Sequence, residues 1–89
     1  VSMEIAEQWS VGDGIDMEHA VVILARDRRK GLADQYGYIS SLHGFRSLDW
    51  FIESQEILHR GARSYEIFVI LTSDGARLRY YFDISSFHK

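Results

Sequence analysis

The run SYEIFVILTSDGARLRYYFDIS, residues 64–85, constrains the fold more than any other part of this chain. Two segments rich in β-branched and aromatic residues flank Asp74-Gly75, a strong hairpin signal. A two-residue Asp-Gly turn sets Leu71 against Leu78, Val69 against Tyr80, Ile67 against Phe82 and Tyr65 against Ile84. That face is apolar throughout. One more turn residue would set Leu71 against Arg77 and mix the faces, so the pattern predicts the two-residue register.

The second face of the hairpin follows from that register. It joins Glu66, Phe68, Ile70 and Thr72 to Asp83, Tyr81, Arg79 and Arg77, with Phe68 facing Tyr81 and Glu66 opposing Asp83. The solvent side of a small antiparallel sheet is normally polar. Here an apolar centre has arginines at one end and two carboxylates at the other. Like charges directly opposed destabilise a sheet, so a cation is expected over Glu66 and Asp83. A helix of this chain can cover that face, or arginine stems can drape it, with Arg60 or Arg63 neutralising the two carboxylates; a partner can supply the cation from outside instead.

The segment SLDWFIESQEILHRG, residues 47–61, reads as a helix over 47–60. Leu48, Phe51, Ile52 and Leu58 fall on one helical stripe. Ser47 suits the N-cap, Asp49 the first turn, His59 and Arg60 the last turn, and Gly61 the left-handed C-cap.

Residues 16–30 carry two readings. As a helix, Asp16 caps, Met17, Ala20, Val21, Leu24 and Ala25 form a stripe, and Gly31 ends it. As a strand, AVVILA is β-branched and uniformly apolar, like a buried central strand. Caps and charges favour the helix. The cluster Arg26, Arg28, Arg29 and Lys30 then lies at a helix C-terminus, where carbonyls rather than amides project and phosphate is poorly received. Residues 32–43 place Leu32, Tyr36, Ile39 and Leu42 or His43 in helical phase; Gly37 weakens that, and a strand over YGYISSL is the other reading. MEIAEQWSV, near the start, reads as a short strand or an ordered arm that Trp9 anchors.

With 89 residues, one domain spanning 1–89 is expected. The expected fold is α+β. A small, mainly antiparallel sheet with the C-terminal hairpin, residues 65–72 and 77–84, packs against two or three helices. One hairpin alone is marginal, so a further strand is required, from residues 3–9, 19–26 or 36–42.

Charge and composition narrow the function. A net charge of −3 opposes a general binder of nucleic acid or membrane surfaces. The chain has no cysteine, which removes disulfides, thiolate metal sites and cysteine catalysis and favours a reducing, cytoplasmic setting. The longest apolar run, AVVILA, is too short to span a membrane as a helix. Asp13, Asp16, Glu18 and His19 cluster without the ligand spacing of a calcium loop. The histidines lack zinc-motif spacing, and ISSLHG has no nucleophile elbow. No cofactor or metal is expected, and an enzyme, which would have to use His43, Asp83 and Glu66, ranks last.

Aromatic residues and arginines at the centre of a face are contact chemistry. The leading expectation is therefore a non-enzymatic module that binds a protein partner or itself, as a homodimer, through Phe68, Ile70, Arg77, Arg79 and Tyr81. Glu66 and Asp83 would then receive a cation. The alternative is nucleic-acid or nucleotide binding through Arg26, Arg28, Arg29 and Lys30 together with Arg77, Arg79 and Tyr81.

Overall fold

The computed structural model describes residues 12–88. The strand or arm expected over residues 3–9, with Trp9, lies outside the described residues. The domain is α+β: one helix packs on a four-stranded mixed sheet of order β1-β4-β3-β2. The elements are β1 (Val21–Val22), α1 (Arg28–His43), β2 (Trp50–Arg60), β3 (Arg63–Thr72) and β4 (Arg77–Asp83), preceded by a 3₁₀ turn at Met17–His19. β1 runs parallel to β4, and the other two pairings are antiparallel. Among the described residues there is one α-helix, where two or three were expected.

The β3–β4 hairpin forms, in a register shifted by one residue from the expected one. Leu71 pairs with Arg77, Val69 with Arg79, Ile67 with Tyr81 and Tyr65 with Asp83. The turn holds three residues, Ser73-Asp74-Gly75, closed by Thr72 N–H to Ala76 O at 2.8 Å and Gly75 N–H to Thr72 O at 2.9 Å. Gly75 has φ of 94°, the left-handed residue of a three-residue hairpin loop. The Asp74 carboxylate accepts from the Thr72 hydroxyl and the Ala76 amide, which steadies that loop. Hence Glu66, Phe68 and Ile70 share the helix side with Phe82, Tyr80 and Leu78.

Residues 47–60 are not a helix. Trp50–Arg60 is the edge strand β2, paired with β3 along its length. A bulge between Ile52 and Ser54 inserts one residue. Before it Trp50 and Ile52 face the helix; after it Gln55, Ile57 and His59 do. That slip breaks the period of two by which a strand is recognised. Gly61, with φ of 62°, opens the two-residue β2–β3 turn rather than capping a helix. Ser47 is not an N-cap: it sits at φ of 72° in the tight connection between α1 and β2.

Residues 16–30 also depart from the preferred reading. Asp16 caps only the 3₁₀ turn, and the chain then runs extended through Ala20 into β1 and a bridge at Ile23. Val21 and Ile23 are fully buried whereas Leu24 is 52% exposed, the alternation of an extended segment. The helix starts later: Asp27 Oδ1 accepts from Lys30 N–H at 2.9 Å. Arg28, Arg29 and Lys30 therefore occupy the first turn, not the last, against the helix dipole. The 32–43 phase belongs to this helix, and Gly37 is tolerated within it.

The core lies between α1 and the sheet. It holds Val21, Ile23, Ile39, Trp50, Phe68, Ile70, Phe82 and Ile84, with Tyr36 and Tyr38 packed against it. Phe68 meets Phe82 edge-on at 5.1 Å between ring centroids, and Tyr36 bridges Phe68 and Trp50 at 6.0 and 6.3 Å. The C-terminus locks across this layer. The Ser86 hydroxyl reaches the Ile23 and Ala25 carbonyls, both at 2.8 Å, and the Phe87 ring packs on Gly31.

Three carboxylates are buried among the described residues, Asp34, Glu66 and Asp83, and Glu66 is the one that β3 carries between helix and sheet. Glu66 is 2% exposed. Arg28 donates to both of its oxygens, at 2.9 and 3.1 Å, and Gln35 Nε2 donates at 3.0 Å. That carboxylate holds the Arg28 guanidinium above its ordinary pKa. Removing a cation from a buried carboxylate is costly, whereas Arg28, with a side chain 45% exposed, can turn to water if it loses its partner. Arg28→Met is expected to destabilise by about 3 kcal/mol and Glu66→Gln by about 1 kcal/mol. Urea unfolding of both variants checks the order; a greater loss for Glu66→Gln would show that Glu66 is not the dependent partner.

Candidate interaction surface

The helix covers one side of the sheet. On the other, β3 presents Tyr65, Ile67, Val69 and Leu71, all partly exposed. In antiparallel pairs, directly opposed residues share a face. From β4, Arg77, Arg79, Tyr81 and Asp83 therefore join this stripe. From β2, Phe51, Ser54, Glu56 and Leu58 do so. No described element crosses the stripe. Ile15 rims it beside Tyr81, and Met17 and Ala20 rim it beside Tyr65 and Asp83.

The expected contact residues are thus divided between two faces. Arg77, Arg79, Tyr81 and Asp83 lie on the open side. Phe68 and Ile70 lie on the helix side with no exposed surface, and Glu66 lies there with them. The one-residue register shift is the whole cause. Glu66 and Asp83 do not oppose each other, and each already has a cation of this chain. Arg63 donates to Asp83 at 2.7 Å, as one sequence reading foresaw, while Glu66 takes Arg28 instead. A two-residue turn would have set Tyr65, Ile67, Val69 and Leu71 toward the core. Arg77 and Arg79, exposed at alternate positions around the half-buried Leu78, were the signal for the true face.

Charge is laid across the open face in order. On the β2 flank stand Glu53, in the bulge, and Glu56. On the β4 flank stand Arg77 and Arg79. Arg77 reaches over the sheet to Glu53 with bonds of 2.6 and 2.9 Å. That pair lowers the Glu53 pKa and raises that of Arg77. Glu56 and Arg79 are exposed and enter no ion pair among the described residues.

The basic cluster is partly consumed within the fold. Arg28 is bound to Glu66, and Lys30 lies 2.9 Å from Asp34. Arg26 and Arg29 are exposed. The Asp27 carboxylate already occupies the helix N-terminus, where an anion would bind.

The residues considered for catalysis do not converge. His43 Nε2 is 2.7 Å from the Tyr80 hydroxyl, at the edge of a pocket of about 300 Å³ that Asp49 and Asp74 also line. Glu66 and Asp83 point to opposite sides of the sheet. Burial pushes the Tyr80 hydroxyl above its ordinary pKa, so it stays neutral beside His43. Among the described residues no cluster of three histidine or acidic side chains is placed to hold a metal ion, and no helix is long and apolar enough to cross a membrane. No protein-family model, curated protein or solved structure matches the chain.

At the rim, Asp16 Oδ1 lies 2.7 Å from His19 Nδ1. The hydrogen bond raises the His19 pKa above the ordinary value and lowers that of Asp16. A raised histidine pKa means that protonated His19 favours the folded rim. That contribution is complete below the ordinary value, about 6.5, and is lost as pH rises through the raised one. NMR titration is expected to give a His19 midpoint above that of a free histidine, and Asp16→Asn is expected to bring it down. An ordinary midpoint in the unaltered chain would show that the pair does not persist in solution.

Proposed function

We propose that the chain is a non-enzymatic interaction module whose contact surface is the open side of the sheet. The observation that carries this reading is the stripe Tyr65, Ile67, Val69 and Leu71, joined by Tyr81, with no described element over it. Contiguous apolar surface of this kind, rimmed by charge, marks contact sites on folded proteins. Aromatic and arginine side chains within it are the types that dominate contact energetics. The contact residues are then Tyr65, Ile67, Val69, Arg79 and Tyr81, in place of Phe68 and Ile70. Self-association as a homodimer is the form of this reading we favour.

The internal pairing of cations supports this reading over nucleic-acid binding. Arg28, Lys30, Arg63 and Arg77 each face a carboxylate of the same chain, so part of each basic group that a phosphate backbone would need is already neutralised within the fold.

Val69→Asp places a charge in the centre of the stripe without entering the core. Light scattering on a size-exclusion column, across a concentration series, is expected to show association of the unaltered chain. Val69→Asp is expected to be monomeric with an unchanged circular dichroism spectrum. An unaltered chain that stays monomeric at the highest concentration would remove self-association.

A further inference from the structure

Resting on that reading, we propose that the occupant of the open face is a second copy of this chain, packed face to face about a two-fold axis running along β3. The charges of the face select both the occupant and the axis. Across the sheet the order is acidic flank, apolar stripe, basic flank: Glu56 on β2, Ile67 and Val69 on β3, Arg79 on β4. A two-fold along the central strand reverses left and right while keeping the level along the strand. It sets β4 of one copy over β2 of the other. Glu56 stands at the level of Ile67, and Arg79 at the level of Val69. The two are thus offset by about 7 Å along the strand, within the reach of an arginine. Neither has an ion-pair partner among the described residues of its own chain. Two symmetric Glu56–Arg79 pairs would then flank a seam in which the β3 stripe meets its own copy, as isologous symmetry requires.

The other two-fold in the plane of the interface runs across the strands. It lays β2 over β2 and β4 over β4, bringing Glu56 near its own copy and Arg79 near its own copy. Opposed like charges suppress such an arrangement. Edge-to-edge pairing through β2 is disfavoured too. The bulge between Ile52 and Ser54, with Glu53 and Glu56 along the strand, is the kind of feature that keeps sheet edges apart. Face-to-face packing at the usual spacing of about 10 Å, with strands nearly aligned, gives a four-layer assembly with a helix on each outer side.

Charge reversal tests the axis. Glu56→Lys and Arg79→Glu are both exposed substitutions. Alone, each places two like-charged pairs in its own homodimer, and self-association is expected to weaken at least tenfold, by about that order from one opposed like-charge contact. Mixed in equal amounts, the two variants are expected to form a heterodimer as tight as the unaltered dimer, because both flanks then match. Two variants that still dimerise alone, or a mixture that stays monomeric, would overturn this axis while leaving the open face as a contact surface. A monomeric unaltered chain would overturn both. A second measurement does not depend on those variants. The chain has no cysteine, so Leu71→Cys introduces a single thiol. A two-fold along β3 puts Leu71 opposite its own copy, and a bis-maleimide spanning about 10 Å is expected to double the mass on a denaturing gel. The crosswise axis puts Leu71 opposite Tyr65 instead. Absence of that cross-link in an associating sample would reject the proposed geometry.

Discussion

The three-residue turn Ser73-Asp74-Gly75 decides which half of the hairpin faces the helix, and the remaining arrangement follows from that choice. Because strand side chains alternate, a shift of one residue exchanges faces completely. The observed register turns Phe68, Ile70, Leu78, Tyr80 and Phe82 inward. It also turns Glu66 inward. A carboxylate in that position must be neutralised and hydrogen-bonded, and the nearest cover is the start of α1. Arg28 and Gln35, seven residues apart on the helix, both reach it. The ion pair thus positions α1 along β3, and the position of α1 sets which part of β2 it can cover.

The consequences appear along β2. Trp50 is fully buried beneath the helix, whereas Ile57, also on the helix side, is 39% exposed. One helix is too narrow for the whole sheet, and on the other side the described residues only rim the stripe, with Ile15, Met17 and Ala20 along its β4 edge. The fold is therefore asymmetric, with a dense aromatic layer on one side and a partly exposed apolar stripe on the other. The first turn of α1 shows a similar compromise. Three consecutive cations there oppose the helix dipole, yet Glu66 and Asp34 offset two of them through contacts at 38 and 4 residues' separation.

These relations explain how much was legible in the sequence. The hairpin and its place in an α+β fold were readable, because the β4 alternation of arginines with Leu78, Tyr80 and Phe82 is local. The pairing register was not. Between Tyr65 and Leu71 both faces of β3 are apolar, apart from Glu66, so the test of register had no contrast on that strand, and Asp-Gly suits a three-residue loop as well as a two-residue one. The strand β2 was hidden because Leu48 in the preceding turn and Phe51 and Ile52 on opposite faces of the strand happen to fall at helical spacing, and the bulge after Ile52 then breaks the alternation that would have marked a strand. The start of α1 was hidden by a distant compensation. Local rules place cations at helix ends and acids at helix starts, and only contact with Glu66 across the fold makes Arg28 favourable in the first turn. The need of Glu66 and Asp83 for cations was visible. That they face opposite sides depended on the register.

The open face also bears on why so small a domain holds its shape. A chain of 89 residues has a narrow margin of stability. Each large apolar side chain left in water withholds about 1.5–3 kcal/mol relative to full burial. Tyr65, Ile67, Val69, Leu71 and Tyr81 are only partly buried, so the monomer forgoes part of that contribution at five positions on one surface. Had solubility alone shaped this face, the positions opposite Arg77 and Arg79 would carry polar residues at little cost, since β-branched threonine suits a strand as well as valine does. Val69 and Leu71 stand there instead. On the proposed reading, association recovers what the monomer forgoes, and folding stability and self-contact become linked through mass action. The same five residues then serve the sheet in the monomer and the seam in the dimer, while Glu56 and Arg79 at the flanks act on orientation rather than on the strength of the contact.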